Sequence, residues 1–107
     1  MPTMTVNLVE KYCQELCDTL EKRFYEKYPN PSRDRSFTVK KGRKYYKILE
    51  DNCSAHAFVD IQTGDVFKPA SWNKPAHGVR YNLLDEESRE FMLKICDWAG
   101  GYLYYSR

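Results

Sequence analysis

The sequence predicts an α+β fold: an N-terminal helix, a three- to four-stranded antiparallel sheet, a structured loop and a C-terminal helix packed on the sheet. Three observations predict it. Apolar residues recur at helical spacing near both ends, at Val9, Cys13, Leu16, Leu20 and Phe24 and again at Leu84, Phe91, Ile95 and Trp98. Between them, short β-rich runs are separated by turn signals at Gly42-Arg43, Asp51-Asn52 and Thr63-Gly64. Strands that follow one another so closely pair as hairpins, and 107 residues leave no room for several βαβ units. One domain over residues 1–107 is the expectation.

The first helix is expected over residues 1–28. Its apolar stripe is flanked by Glu10, Glu15, Asp18, Glu21, Lys22, Arg23 and Glu26, and Thr3 or Thr5 is suited to cap its start. Pro29 and Pro31 disfavour helical geometry before them, so the helix should stop near Tyr28. Strands are expected within residues 35–68. Phe37 to Lys41 and Lys44 to Glu50 flank Gly42-Arg43, where Gly42 suits a positive-φ turn. A third run, Ala55 to Ile61, puts Ala55, Ala57, Val59 and Ile61 on one face and His56, Phe58 and Asp60 on the other. Asp65 to Lys68 reads as a short fourth strand.

Residues 69–84 read as a mostly irregular but structured loop, because Pro69, Pro75 and Gly78 are mixed with Trp72, Val79, Tyr81 and Leu84. The C-terminal helix is expected over residues 85–98, with Leu84, Ser88, Phe91, Ile95 and Trp98 inward. Asp85, Glu86 and Glu87 sit at its positive N-terminal end, and Gly100-Gly101 ends it. Residues 102–105 are a further strand candidate. The expected core is Leu8, Val9, Leu16, Leu20, Phe24, Ile48, Val59, Phe91, Ile95 and Trp98.

The chain is 42% hydrophobic, 30% charged and 15% aromatic, a globular balance that excludes a disordered or collagen-like chain. No run approaches the roughly 18 apolar residues of a membrane span. Met1 to Glu10 has neither the basic nor the apolar region of a secretion signal, so an intracellular protein with free thiols is expected. The net charge is only +2, but it is segregated: seven basic residues against Asp34 between Arg33 and Lys47, and five acids against Arg89 and Lys94 from Asp85 to Asp97. Nine tyrosines make a homo-oligomer a candidate state.

Chemistry-bearing motifs are sparse. Cys13 and Cys17 lie four apart on one helix, but a metal site would also need Cys53, Cys96, His56 or His77 to converge, so no cofactor is expected. His56 and His77 lack a nucleophile motif beside them, and His56 reads as a strand residue with its hydrogen bond satisfied. The strongest constellation mixes cations with rings. Lys40, Lys41, Arg43, Lys44 and Lys47 surround Tyr45, and Lys68, Trp72, Lys74, His77, Arg80 and Tyr81 repeat the mixture in the loop. Lysine and arginine meet phosphates, while rings stack on bases. If the loop folds over the hairpin, both sets line one groove, with Trp72 buried as the loop's anchor. Solubilising lysines beside core aromatics are the competing reading.

The order Gly-Arg-Lys-Tyr-Tyr-Lys-Ile from Gly42, His-Ala-Phe-Val-Asp from His56 and Thr-Gly-Asp-Val-Phe-Lys-Pro-Ala-Ser-Trp-Asn-Lys-Pro-Ala from Thr63 resembles small uncharacterised proteins of tailed phages and some large DNA viruses. So do Val79 to Asp85 and Asp97 to Tyr104. The resemblance omits the N-terminal helix and supplies no catalytic residues. It implies a virus-encoded accessory protein in the cytoplasm of an infected cell or in the virion. The combined expectation is a non-enzymatic protein that binds nucleic acid, a nucleotide or an acidic host protein and has no membrane partner. A virion or assembly component is the alternative, and a small hydrolase or nuclease using His56 and His77 is the third.

Overall fold

A computed structural model of the chain describes residues 2–32, 34–98 and 100–104. Helix α1 spans Pro2–Lys27. It is followed by β1 (Phe37–Lys41), β2 (Tyr45–Glu50), β3 (Ser54–Asp60), β4 (Asp65–Phe67), β5 (Pro69–Ser71), β6 (Lys74–Pro75) and β7 (Tyr81–Asn82). Helix α2 (Glu86–Ile95) and a 3₁₀ turn at Gly101–Tyr104 complete the order. Five strands form one antiparallel sheet in the order β1-β2-β3-β4-β7, and β5-β6 is a separate two-stranded ribbon. The fold is α+β as expected, with a fifth strand because β7 closes onto β4 through Val66–Tyr81 and Asp65–Asn82.

α1 runs through Thr3 and Thr5, and the capping expected of their side chains lies outside what is described. It stops at Lys27, where the Tyr28 amide donates to Phe24 O before Pro29. Val9, Cys13, Leu16, Cys17, Leu20 and Phe24 are buried, while Leu8 turns outward. The helix also satisfies the backbone entering β1: Glu21 accepts from the Phe37 amide at 2.9 Å, and Tyr25 Oη accepts from the Arg35 amide at 3.0 Å.

The sheet's inner face is read from its register. Tyr46, Val59, Val66 and Tyr81 are partners in sequence across β2, β3, β4 and β7, and all four are buried. They share one core cluster with Val9, Cys13, Leu16, Cys17 and Leu20 of α1 and with Met92, Cys96, Tyr102 and Leu103. The Asp51-Asn52 turn has φ of 55° and 58°, two successive left-handed residues, and Cys53 N donates to Glu50 O across it. That is the turn whose twist matches a hairpin. Gly42, by contrast, is not among the positive-φ residues.

β3 departs from simple alternation. Ile48 pairs with Ala57 and Leu49 with Ala55, so His56 is the extra residue of a bulge. The bulge turns His56 into the core, where its ring meets Phe37 edge-on at 5.2 Å and its Nε2 lies 2.8 Å from Tyr102 Oη. The Tyr102 carbonyl in turn accepts from Tyr81 Oη at 2.6 Å.

The C-terminal half differs most from expectation. α2 ends at Ile95 because Cys96 is extended, three residues earlier than expected. Its buried residue is Met92, and Leu83 rather than Leu84 points inward, while Phe91 and Leu84 are exposed. Ile95 and Trp98 pack on the core while remaining partly exposed. The strand expected over 102–105 is the 3₁₀ turn up to Tyr104, and residue 105 lies outside the described residues.

Candidate functional site

With both helices on the inner face, the outer face of the sheet carries a second row. Lys40, Lys47, Phe58 and Phe67 are register partners across β1, β2, β3 and β4. Tyr45 stands two residues from Lys47 on the same face and meets Phe58 and Phe67 edge-on at 5.9 and 6.0 Å. The β5-β6 ribbon reaches this face with its tip, Trp72-Asn73. Lys47 Nζ lies 4.1 Å from the Trp72 ring centroid and donates to Asn73 Oδ1 at 3.3 Å. The result is a groove of about 390 Å³ lined by Lys40, Lys41, Arg43, Lys44, Tyr45, Lys47, Phe58 and Asn73, with Gly42 at the turn.

Electrostatically the groove is one-sided. Its lining contains no carboxylate, and among the described residues none of its five cations is ion-paired. Lys40 and Lys47 are direct cross-strand partners, an arrangement that repels. Lys47 is held below the usual lysine value, first by desolvation and then by the Lys40 ammonium. Rings offset part of this: Lys44 lies 5.5 Å from the Tyr45 centroid and Lys47 5.7 Å from that of Phe58.

The structure gathers the hairpin residues expected to bind ligand and places the loop residues variously. Trp72 reaches the groove edge, but 42% of it is exposed, so it is not the buried anchor expected. Lys68, Lys74, His77 and Arg80 do not line the groove. Lys74 lies on β6, His77 is exposed, and Arg80 has its Nε enclosed without a hydrogen-bond partner among the described residues. Tyr81 belongs to the core, because its pairing with Val66 turns it inward. Asn73 and Phe58 were missing from the expected set. The alternation of β3 already put Phe58 opposite Ala57, and a Trp-Asn-Lys tip is a turn signal.

The half-exposed ring sets an expectation for Trp72→Ala. It should cost about 1 kcal/mol or less, against the ~3–5 kcal/mol of a fully buried ring. Thermal unfolding checks this, and a loss in the buried range would show that the ring holds the ribbon down.

Other titratable groups are structural. Cys13, Cys17 and Cys96 are buried free thiols, and Cys53 is exposed. Burial pushes Cys17 up to about 12 and Cys96 up to about 11, so neither is a thiolate near neutrality. Among the described residues, no group of three His, Cys, Asp or Glu side chains is placed to hold a metal ion. No described helix is long and apolar enough to cross a membrane.

Helices on one face of an antiparallel sheet and an uncompensated cationic hairpin on the other define a small α+β protein. The chain belongs to the family of unknown function DUF7717, which matches residues 2–105. No curated protein and no solved structure matches it.

Proposed function

We propose that the chain is a non-enzymatic binding protein that holds an anionic ligand across the outer face of the β1-β2 hairpin, and that this ligand is a single strand of nucleic acid. The observation that carries the reading is the set of five cations, without ion-pair partners among the described residues, interleaved with Tyr45 and bordered by Trp72. The cations extend over both arms of the hairpin, on the order of 10 Å from Lys44 to Lys47. Successive phosphates of one strand fall within this length, so the hairpin can meet more than one of them. Tyr45 and Trp72 offer stacking surfaces, which unpaired bases can use and duplex bases cannot. The lining has no carboxylate or imidazole to move a proton, which favours holding over cleaving. We take the protein to be virus-encoded and to act in the cytoplasm of an infected cell, on the strength of the resemblance in its central and C-terminal motifs.

Fluorescence anisotropy with labelled single strands, duplexes and mononucleotides tests the reading. Single strands are expected to bind most tightly, with an affinity that falls steeply as salt rises. Absence of binding to every nucleic acid at low salt would refute it.

A further inference from the structure

A second pocket lies at the other end of the hairpin, seven residues from Arg43 along the chain and on the order of 20 Å away. It encloses about 360 Å³ where the end of α1, the loop after it, the β2-β3 turn and Trp98 meet. Three rings frame it. Phe24 and Tyr28 lie 5.3 Å apart, and each is 5.6 Å from Trp98, with steep interplanar angles of 85° and 69°. A cation within about 6 Å of such ring faces is attracted to them.

The chain's own cations already report that chemistry. The Arg35 guanidinium lies 5.1 Å from the Phe24 centroid and 5.4 Å from that of Trp98, and it pairs with Glu50. Lys27 Nζ lies 5.8 Å from both the Tyr28 and the Trp98 rings. Lys27 is exposed and, among the described residues, has no carboxylate partner. Two further carboxylates line the pocket, Asp34 and Asp51. Neither is ion-paired among the described residues, although Asp51 accepts from the Ser36 amide. Among the described residues, the lining therefore carries three carboxylates against one guanidinium, the reverse of the hairpin face.

We propose that this pocket binds an arginine side chain presented by a partner protein, which displaces Lys27 from the open faces of Tyr28 and Trp98 and pairs with Asp34 and Asp51. A guanidinium suits it better than an ammonium, because it is more weakly hydrated and stacks flat on a ring while bonding a carboxylate at its edge. The site is independent of the anion-binding face. A protein that uses both bridges an anion to a basic partner.

The test uses the full chain with Trp72→Phe, which leaves Trp98 as the sole tryptophan. An N-acetylated, C-amidated Gly-Arg-Gly peptide is titrated while Trp98 emission is followed, with Gly-citrulline-Gly as the uncharged isostere. A saturable change with the arginine peptide alone is expected. It should weaken roughly tenfold in Tyr28→Leu and be reduced in Asp34→Asn, both at exposed positions. Circular dichroism checks that these variants fold. Equal responses to arginine and citrulline, or no response in a folded protein into the millimolar range, would overturn the proposal. Concentration-dependent self-association abolished by Tyr28→Leu would also overturn it, by seating the basic hairpin of a second copy in the pocket. Each readout stands whether or not the hairpin binds nucleic acid.

Discussion

Acidification is expected to cost the fold about 3 kcal/mol through His56 alone. Burial of its ring pushes His56 down from 6.5 to about 4, with Asp97 opposing the shift. In the unfolded chain the imidazole takes up its proton near its ordinary value, while in the fold it stays neutral until about pH 4. The sign follows: above pH 6.5 both states are neutral and nothing is lost. As the pH falls from 6.5 towards 4, only the unfolded state gains the proton, and stability drops by ~1.4 kcal/mol per unit of difference. Urea unfolding at a series of pH values, wild type against His56→Gln, isolates the contribution from carboxylates that titrate in the same range. The wild type should lose more stability than the variant as pH drops, and parallel curves would rule the mechanism out. The loss is a matter of geometry as well as charge. The bulge that turns His56 inward ties it to Tyr102, so the ring that resists protonation is also the one that fastens the 3₁₀ turn to the sheet.

Removing the hairpin cations should separate binding from folding. Lys40, Arg43 and Lys44 are exposed and unpaired among the described residues, so a triple change to Gln should leave stability within roughly 0.5 kcal/mol of wild type. Relief of the Lys40–Lys47 repulsion adds a few tenths of a kcal/mol in favour of the variant. Affinity for a single strand should meanwhile fall on the order of 100-fold, at ~1 kcal/mol for each lost charged contact. The slope of log affinity against log salt should flatten by roughly 2, at about 0.7 per phosphate released. Anisotropy across a salt series and a urea melt provide the two readouts. Unchanged binding in the folded variant would move the site off the hairpin.

The parts of the molecule that were legible in advance are those where one residue type dictates one conformation. Pro29 and Pro31 set the end of α1, Asp51-Asn52 made its turn, and the single stripe from Val9 to Phe24 had one face to bury. α2 was different. Apolar residues stand side by side at Leu83-Leu84, Phe91-Met92 and Ile95-Cys96, so spacing alone admits two phases of the helix. The phase is fixed by Asn82, whose Oδ1 accepts from the Leu84 and Asp85 amides, and by Ser88, whose hydroxyl accepts from the Asn82 amide. Those contacts depend on β7 pairing with β4, a long-range event that no local pattern contains. The bulge at His56 is hidden for the same reason, since register belongs to two strands at once. For the candidate site, the hairpin cations followed from adjacency in the chain. The place of Trp72 and the burial of Tyr81 depended on how a sixteen-residue loop returned to the sheet.

β1 is the outermost strand of the sheet, and an edge strand is a template on which other chains can add. Lysines are a common safeguard against such addition, because stacking edge on edge would bring like charges together. Lys40 and Lys41 occupy that position here. The cations of the proposed binding surface therefore also guard the sheet against edge-to-edge growth, and a neutralised hairpin risks losing solubility before it loses stability. Carboxylate substitutions at the same positions would keep the safeguard while reversing the field. Carboxylate variants at Lys40 and Lys41 should then stay soluble where apolar variants aggregate.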